Sequence, residues 1–416
     1  MHDLEAISSE SHGAKASRLR VAIVSETFPP EVNGVAMTLG RIVAGLLERG
    51  HAVQLMRPRQ FEEEDRPAEG ALEQVLFRGM PVPTYPELRL GFPSRSKLVK
   101  LWRQRRPDIV HVVTEGPLGW SAVVAATELQ LPVSSSFHTN FQSYSRYYGV
   151  GVFRNLIEGY LRRLHNRTLA TMVPTKAMLQ DLQALAFDHV TLLSRGVEVR
   201  QFSPDKRSTD LRERWGVGVD DLVIMNVGRL AKEKNIGVVI AAFKAIEFRL
   251  PRAKLVIVGD GPERKTLQET CPSAIYAGVQ EGEALAAHYA SGDMFLFPSL
   301  TETFGNVVPE ALASGLALVS YDRAAAHELI TTEQNGVLVA GSAQLDFVEA
   351  ALSLALNRQR LSTVRRHAAA SVAHLNWDVI YDRFVEVLSD VIQRHGQQHA
   401  GAALVASRVL VKQSNA

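Results

Sequence analysis

The stretch DLVIMNVGRLAKEKNIGVVIAAFKAIEFRLPRAKLVIVG, Asp221–Gly259, decides the fold. It opens on a short continuous apolar run that stops at Gly228 and then passes through a cationic loop. A longer amphipathic segment, Val238–Leu250, follows, and a second apolar run, Ala253–Gly259, closes the unit. Apolar runs without polar alternation, joined by a segment of helical period, read as parallel strands with both faces covered. The rhythm continues downstream in DMFLFPS (Asp293–Ser299) and LALVSYD (Leu316–Asp322). Upstream it is present in RVAIVS (Arg20–Ser25), AVQLM (Ala52–Met56), DIVHVV (Asp108–Val113) and LPVSSSF (Leu131–Phe137). Between the first two of these, Met37–Gly50 places Leu39, Ile42, Val43, Leu46 and Leu47 on one helical face, with Gly50 as the stop.

The chain therefore reads as α/β, with two doubly wound domains joined near Arg195–Pro204. The expected division is a polar tail over 1–18, a first Rossmann-like domain over 19–198 and a second over 199–375. A helix over 376–396 is expected to return to the first domain, and 397–416 to form a tail.

Composition agrees with two cores. Of 416 residues, 46 % are hydrophobic and 22 % charged, which excludes disordered and low-complexity classes. The single cysteine, Cys271, excludes an intrachain disulfide and a cysteine zinc cluster. No apolar run approaches the roughly 18 residues of a spanning helix, and the polar start lacks the apolar core of a secretory signal. The expected location is cytoplasmic, or peripheral on the cytoplasmic face of the inner membrane. The net charge is only +2, but residues 84–170 hold 12 Lys and Arg against 5 Asp and Glu. That basic half suits an anionic surface or substrate and is too modest for nucleic acid.

Ligands of open parallel sheets bind beyond the carboxyl ends of the strands, where loops meet helix starts. Four such loops carry candidate chemistry. In SETFPPEVNGVAMTLG, Asn33-Gly34 precedes a helix whose backbone N–H groups could face a phosphate, although turn geometry alone would also select it. In GRLAKEKN, Arg229 and Lys234 suit a diphosphate, unless they are a solvated cationic turn. In TETFGNVVPEALASG, Glu302 and Glu310 flank Thr303, Phe304, Gly305 and Asn306, with Pro309 on the helix. The two carboxylates could hold hydroxyls at two ends of one ligand, or be a cap and an unrelated helical residue. In SFHTNF, His138 ends a strand and could serve a hydroxyl or the core equally well.

Absences narrow the field. No two Asp residues stand at i and i+2, no G-x-G-x-x-G occurs, and no phosphate-loop G-x-x-x-x-G-K-[ST] occurs. Nicotinamide dehydrogenases and phosphate-loop nucleotidases lose their main support.

In series, FPPEVNGV, FHTNF, SRGVEVRQFSP, GRLAKEKN, VGDGPER, AGVQEGEALAAHYASGDMFLFPS and TETFGNVVPEALASG resemble the retaining GT-B glycosyltransferases of family 4. The likeness spans about Arg20 to Phe384. It implies a nucleotide-sugar donor on the second domain and an acceptor on the first, with a metal-independent reaction and no cofactor. Arg229 and Lys234 then look like the diphosphate clamp, Glu302 like the contact to sugar hydroxyls, and Glu310 like the ribose ligand. Gly278, Val279 and Gln280 would lie against the base, Gly34 near the phosphates, and His138 beside the transferring sugar. Many members carry two glycines where this chain has Asn33-Gly34.

The acceptor is read from SRSKLVKLWRQRRPD (Ser94–Asp108), where Lys97, Lys100, Trp102, Arg103, Arg105 and Arg106 could meet anionic lipid. An ordinary helix packed on the sheet would carry the same pattern. The aromatic and basic run Phe141–Thr168 is similar to that of lipid-directed mannosyl- and sulfoquinovosyltransferases of the family. The expected function is thus transfer of a hexose, mannose first, to a membrane lipid or lipid-linked glycan. A UDP-glucose or other UDP-sugar donor, a nucleotide-sugar 2-epimerase and a non-enzymatic scaffold are the rivals.

Overall fold

The computed structural model describes residues 18–31, 33–60, 70–82, 85–138 and 152–414. Strands β1 (Arg20–Val24), β2 (Ala52–Pro58) and β3 (Leu72–Phe77) are followed by a small antiparallel hairpin, β4 (Gly79–Val82) and β5 (Tyr85–Gly91). Next come β6 (Ile109–Val112), β7 (Val133–Ser136), β8 (Thr171–Val173) and β9 (Val190–Leu192). Apart from the hairpin, these strands form a parallel sheet in the order β3-β2-β1-β6-β7-β8-β9. The second domain holds β10 (Val223–Val227), β11 (Lys254–Val258), β12 (Ile275–Gly278), β13 (Met294–Phe297), β14 (Ala317–Tyr321) and β15 (Gly336–Val339). Their order is β12-β11-β10-β13-β14-β15, again parallel. This is the GT-B architecture, two Rossmann-like α/β domains.

Strand composition explains the layers. In β1, Val21 and Ile23 face one side and Ala22 and Val24 the other, and all four are buried. The first side packs on Leu39, Ile42 and Leu46 of the helix Gly34–Glu48, the second on Leu98, Trp102 and Leu118. In the second domain, Ile224 packs with Phe243 and Phe347, while Met225 faces Tyr289, Phe295 and Leu312. At the foot of that sheet the buried Asp293 carboxylate takes Arg207 at 2.8 Å, Arg212 at 3.1 Å and Arg365 at 2.9 Å. It also accepts the Val223 N–H at 2.9 Å, so β10 and β13 start in step.

Strand order reverses between β1 and β6, and again between β10 and β13. Loops leave such neighbours toward opposite faces of the sheet, and a crevice opens between them. The pairing of Met225 with Phe295 thus brings the Arg229 loop beside the Glu302 loop, although some seventy positions of sequence separate the two.

The chain crosses between domains twice, side by side: Val197 bridges to Asn376, and its N–H donates to Leu375 O at 2.8 Å. After the second crossing the helix Trp377–Ser414 lies on the first domain, where Ile380, Tyr381, Phe384, Val387, Leu388 and Val391 complete the core beside Val21 and Ile23. It runs through residues read from the sequence as a tail, because neither Gly396 nor Gly401 is followed by a stop signal and an isolated glycine weakens a helix without ending it. Phe384 is 2 % exposed, so Phe384→Ala should lower unfolding stability by about 3–5 kcal/mol in a urea titration. A loss below about 1 kcal/mol would mean that this helix is not part of the first domain's core.

Candidate active site

A cleft of ≈ 920 Å³ opens where the loops of the two sheets meet. Its walls come from the loops after β1, β10, β11, β12 and β13. Backbone approach sets the second-domain wall. Gly228 and Gly259 stand at the ends of β10 and β11 with φ of 148° and 128°, and a Cβ on Gly259 would lie 2.0 Å from Gly228 O. Only glycine permits that contact, and it keeps these two strand ends free of side chains.

Beyond Gly228 the chain makes one 3-10 turn, Lys232–Lys234, and reverses at Asn235 in the left-handed region, φ 55°. The Asn235 carboxamide donates to Pro298 O at 3.3 Å, tying this loop to the one after β13. Lys234 Nζ is thereby set 2.5 Å from Glu302 Oε1, which also accepts from Ser299 Oγ at 2.7 Å. Arg229 is exposed on the same wall. Gly305, φ 92°, bends the segment so that Thr303, Phe304, Gly305 and Asn306 all line the cleft. Val279, 60 % exposed, gives it an apolar edge beside Gln280.

Residues 32–201 match the family described as Glycosyltransferase Family 4, and residues 221–357 match Glycosyl transferases group 1. A GDP-mannose-dependent alpha-mannosyltransferase of Mycobacterium tuberculosis (strain CDC 1551 / Oshkosh) is 33% identical over 88% of this chain and 95% of its own. This chain is a family 4 glycosyltransferase. An alpha-monoglucosyldiacylglycerol synthase of Streptococcus pneumoniae (strain ATCC BAA-255 / R6) is 27% identical over 79% of this chain and 76% of its own. Among solved structures, sucrose-phosphate synthase from Thermosynechococcus elongatus superposes with a TM-score of 0.72 at 15% identity, covering 91% of this chain and all of that one.

The glycosyltransferase brings together Gly34, Arg229, Lys234, Val279, Gln280, Glu302, Thr303, Phe304, Gly305 and Asn306 on the cleft wall. Three other expected residues stand back from it. Gly278 ends β12, and its carbonyl accepts the Gly259 N–H at 2.7 Å. Glu310 lies deeper on the helix Val307–Ala313, where Oε2 accepts the Tyr289 hydroxyl at 2.9 Å. Burial raises its carboxyl to about 7, and pushes the Tyr289 phenol well above its ordinary range. His138 adjoins a smaller cavity shared with His111, Ser136, Trp377 and Phe384. Its backbone carbonyl still reaches the cleft, accepting from Thr303 Oγ1 at 3.1 Å.

The Asn33-Gly34 turn differs from its expected use. The Asn33 side chain caps its own helix, accepting from Val35 N at 3.1 Å and Ala36 N at 2.9 Å. Two of the N–H groups that a glycine would leave for a phosphate are therefore already satisfied.

Of the lipid-facing reading of Lys97–Arg106, the structure overturns Trp102 and leaves the five cations exposed. Trp102 is fully buried with Leu98 and Val99 on the inner face of the helix Arg95–Gln104, because that face must cover the sheet. Lys97 donates to Leu76 O at 2.9 Å, Arg103 pairs with Glu128 at 3.5 Å and Arg105 with Glu73 at 2.5 Å. Arg106 donates to Leu129 O and Gln130 O, both at 3.1 Å, and Lys100 is exposed. The helix is a packed crossover helix. Residues 141–151 of the aromatic run lie outside the described residues.

The sequence reading placed Arg195 at the domain junction and not in the site. Arg195, in SRGVEV, lines both cavities and contacts both domains. Its only sequence signal is a cation beside a glycine at the domain junction.

The Glu310 shift has a pH consequence. Between 4.5 and about 7 the folded state holds a proton that the unfolded chain has released, so this group makes stability fall as pH rises through that window and flat above it. Glu310→Gln should shrink the difference in Tm between about pH 5 and about pH 7.5, leaving the part due to Glu26, whose carboxyl burial also raises to about 7. An unchanged difference would contradict the shift.

Proposed function

We propose that this glycosyltransferase moves mannose from GDP-mannose to a membrane lipid or lipid-linked glycan, with retention at the anomeric carbon and without a metal. The observation that carries the reading is the Lys234–Glu302 pair, 2.5 Å apart beside Arg229 on two adjacent strand ends. The names of relatives similar over most of the chain supply the donor and the class of acceptor.

The donor diphosphate lies against Arg229 and Lys234. Lys234 exchanges the Glu302 carboxylate for phosphate oxygens, and the freed carboxylate accepts from sugar hydroxyls. As the sugar–phosphate bond breaks, its electron pair moves to the phosphate oxygen and positive charge develops on the sugar ring. The two cations stabilise the leaving diphosphate, taking the part that a metal plays elsewhere. The acceptor hydroxyl attacks from the face the diphosphate leaves, and a phosphate oxygen takes its proton. This reaction has no use for a second carboxylate about 5–5.5 Å from the first, as in retaining glycosidases. Val279 offers the base an apolar edge.

The lipid surface is met by exposed apolar side chains of the first domain. Met80 and Leu90 face each other on the hairpin, Phe92 follows it, and Leu156 and Tyr160 share one face of the helix Val152–His165. The excess of basic residues over 84–170 favours an anionic membrane.

Incubation with GDP-mannose and lipid-extract vesicles should release GDP only when lipid is present, with the rate unchanged by EDTA and the new linkage alpha by NMR. Lys234→Ala or Glu302→Ala should fold and lose about 10²–10³-fold in rate. A faster reaction with UDP-glucose, or a sugar-nucleotide epimer formed without lipid, would overturn the assignment. Separately, Phe92→Glu and Leu156→Glu should each reduce pelleting with phosphatidylglycerol vesicles. Pelleting equal to wild type in both would remove this surface from the membrane contact.

A further inference from the structure

We propose that Arg195 is a positioning residue for sugar transfer: it fixes His138 as the neutral imidazole with its proton on Nε2, and it ties the first-domain loops to the donor loop. The catalytic consequence rests on the function proposed above, whereas the geometry stands without it.

Arg195 follows β9 and is 6 % exposed. One terminal nitrogen, Nη2, lies 3.2 Å from His138 Nδ1. The other, Nη1, donates to Gly34 O at 3.3 Å and to Asn306 Oδ1 at 3.2 Å. A single guanidinium thus touches the loop after β1, the end of β7 and the loop after β13. A guanidinium has donors and no acceptor, so the nitrogen facing it must be the lone-pair nitrogen of the ring. Nδ1 therefore accepts, and the ring proton resides on Nε2. An imidazolium would turn a second N–H toward the guanidinium.

The surroundings agree with that geometry. The titratable groups bearing on His138 are Arg195, His111 of β6 and His165 at the end of the helix Val152–His165, and together with burial all three disfavour a proton on the ring. An uncharged His138 ring, in the cavity next to the cleft, adds no positive charge near a sugar that on the proposed function is itself becoming positive. The Thr303 Oγ1 to His138 O bond pulls on the same residue from the donor side. Lysine carries its three donors on one nitrogen and could not span partners that this fork meets with two.

The test uses the full-length protein with ¹⁵N-labelled histidine. Of its 13 histidines, His138 is assigned by the signal missing in His138→Gln. Wild type should show a lone-pair Nδ1, a protonated Nε2 and no titration across the ordinary histidine range. Arg195→Met should lose the exclusive Nε2–H form or move the midpoint of His138 protonation upward. Should Arg195→Met fail to fold, as judged by thermal unfolding, Arg195→Leu, which likewise has no donor, is read for the same changes. With GDP-mannose and lipid vesicles, the Arg195 variant should lose about 10²-fold in kcat and gain an acid limb in its pH profile that the double variant with His138→Gln lacks. A wild-type His138 that carries its proton on Nδ1, or that is unaltered in the folded Arg195 variant, would sink the proposal. Wild-type protein inert toward GDP-mannose would instead refute the proposed donor and leave the ¹⁵N result to decide the role of Arg195.

Discussion

An ammonium and a carboxylate held against each other in a half-buried cleft are costly to separate in opposite directions, and Lys234 with Glu302 forms such a pair. Their meeting depends on the parallel pairing of β10 with β13, on glycines that let strand ends touch, and on the Asn235 carboxamide that clips one loop to the other. Each group satisfies the other across the cleft wall, and under the proposed function a diphosphate takes the place of the carboxylate on the lysine. The pair is thus ordered by the protein itself, with Ser299 holding the carboxylate and Asn235 the lysine loop.

Buried polar groups elsewhere follow the same economy. Asp293 joins three arginines at the foot of the second sheet, away from the cleft, and brings two strands into register. Glu26 reaches from the loop after β1 to the start of the helix Pro117–Glu128 and accepts the Leu118 N–H at 3.0 Å. The first of these fixes the sheet, the second fixes the loop that leads to Gly34. Neither lies on the cleft wall, yet both determine where cleft residues stand.

Much of this was legible in the sequence. Continuous apolar runs at strand length announced parallel sheet, and their alternation with helices announced two domains; β10, β11, β13 and β14 fall where those runs are. The cleft residues from Arg229 to Asn306 were legible because loops after parallel strands converge at one edge. What was not legible is orientation. The periodicity of Leu98, Leu101 and Trp102 marks an apolar face without saying whether sheet or lipid covers it, and the structure gives it to the sheet. Asn33 could be read as a turn residue but not as one that spends its carboxamide on its own helix. Arg195 has meaning only through contacts with Gly34, His138 and Asn306, all more than fifty residues away, and no local pattern encodes these.

The paired crossings at Val197 and Asn376 constrain how the molecule can move. Two covalent threads joined by a hydrogen bond act as a single hinge line, so the lobes can swing as a door swings but cannot twist freely or drift apart. Shutting that door carries the Arg229 wall along a fixed arc toward the Gly34 wall. The approach of the two walls is therefore confined to one path, set by where the chain passes twice between its halves.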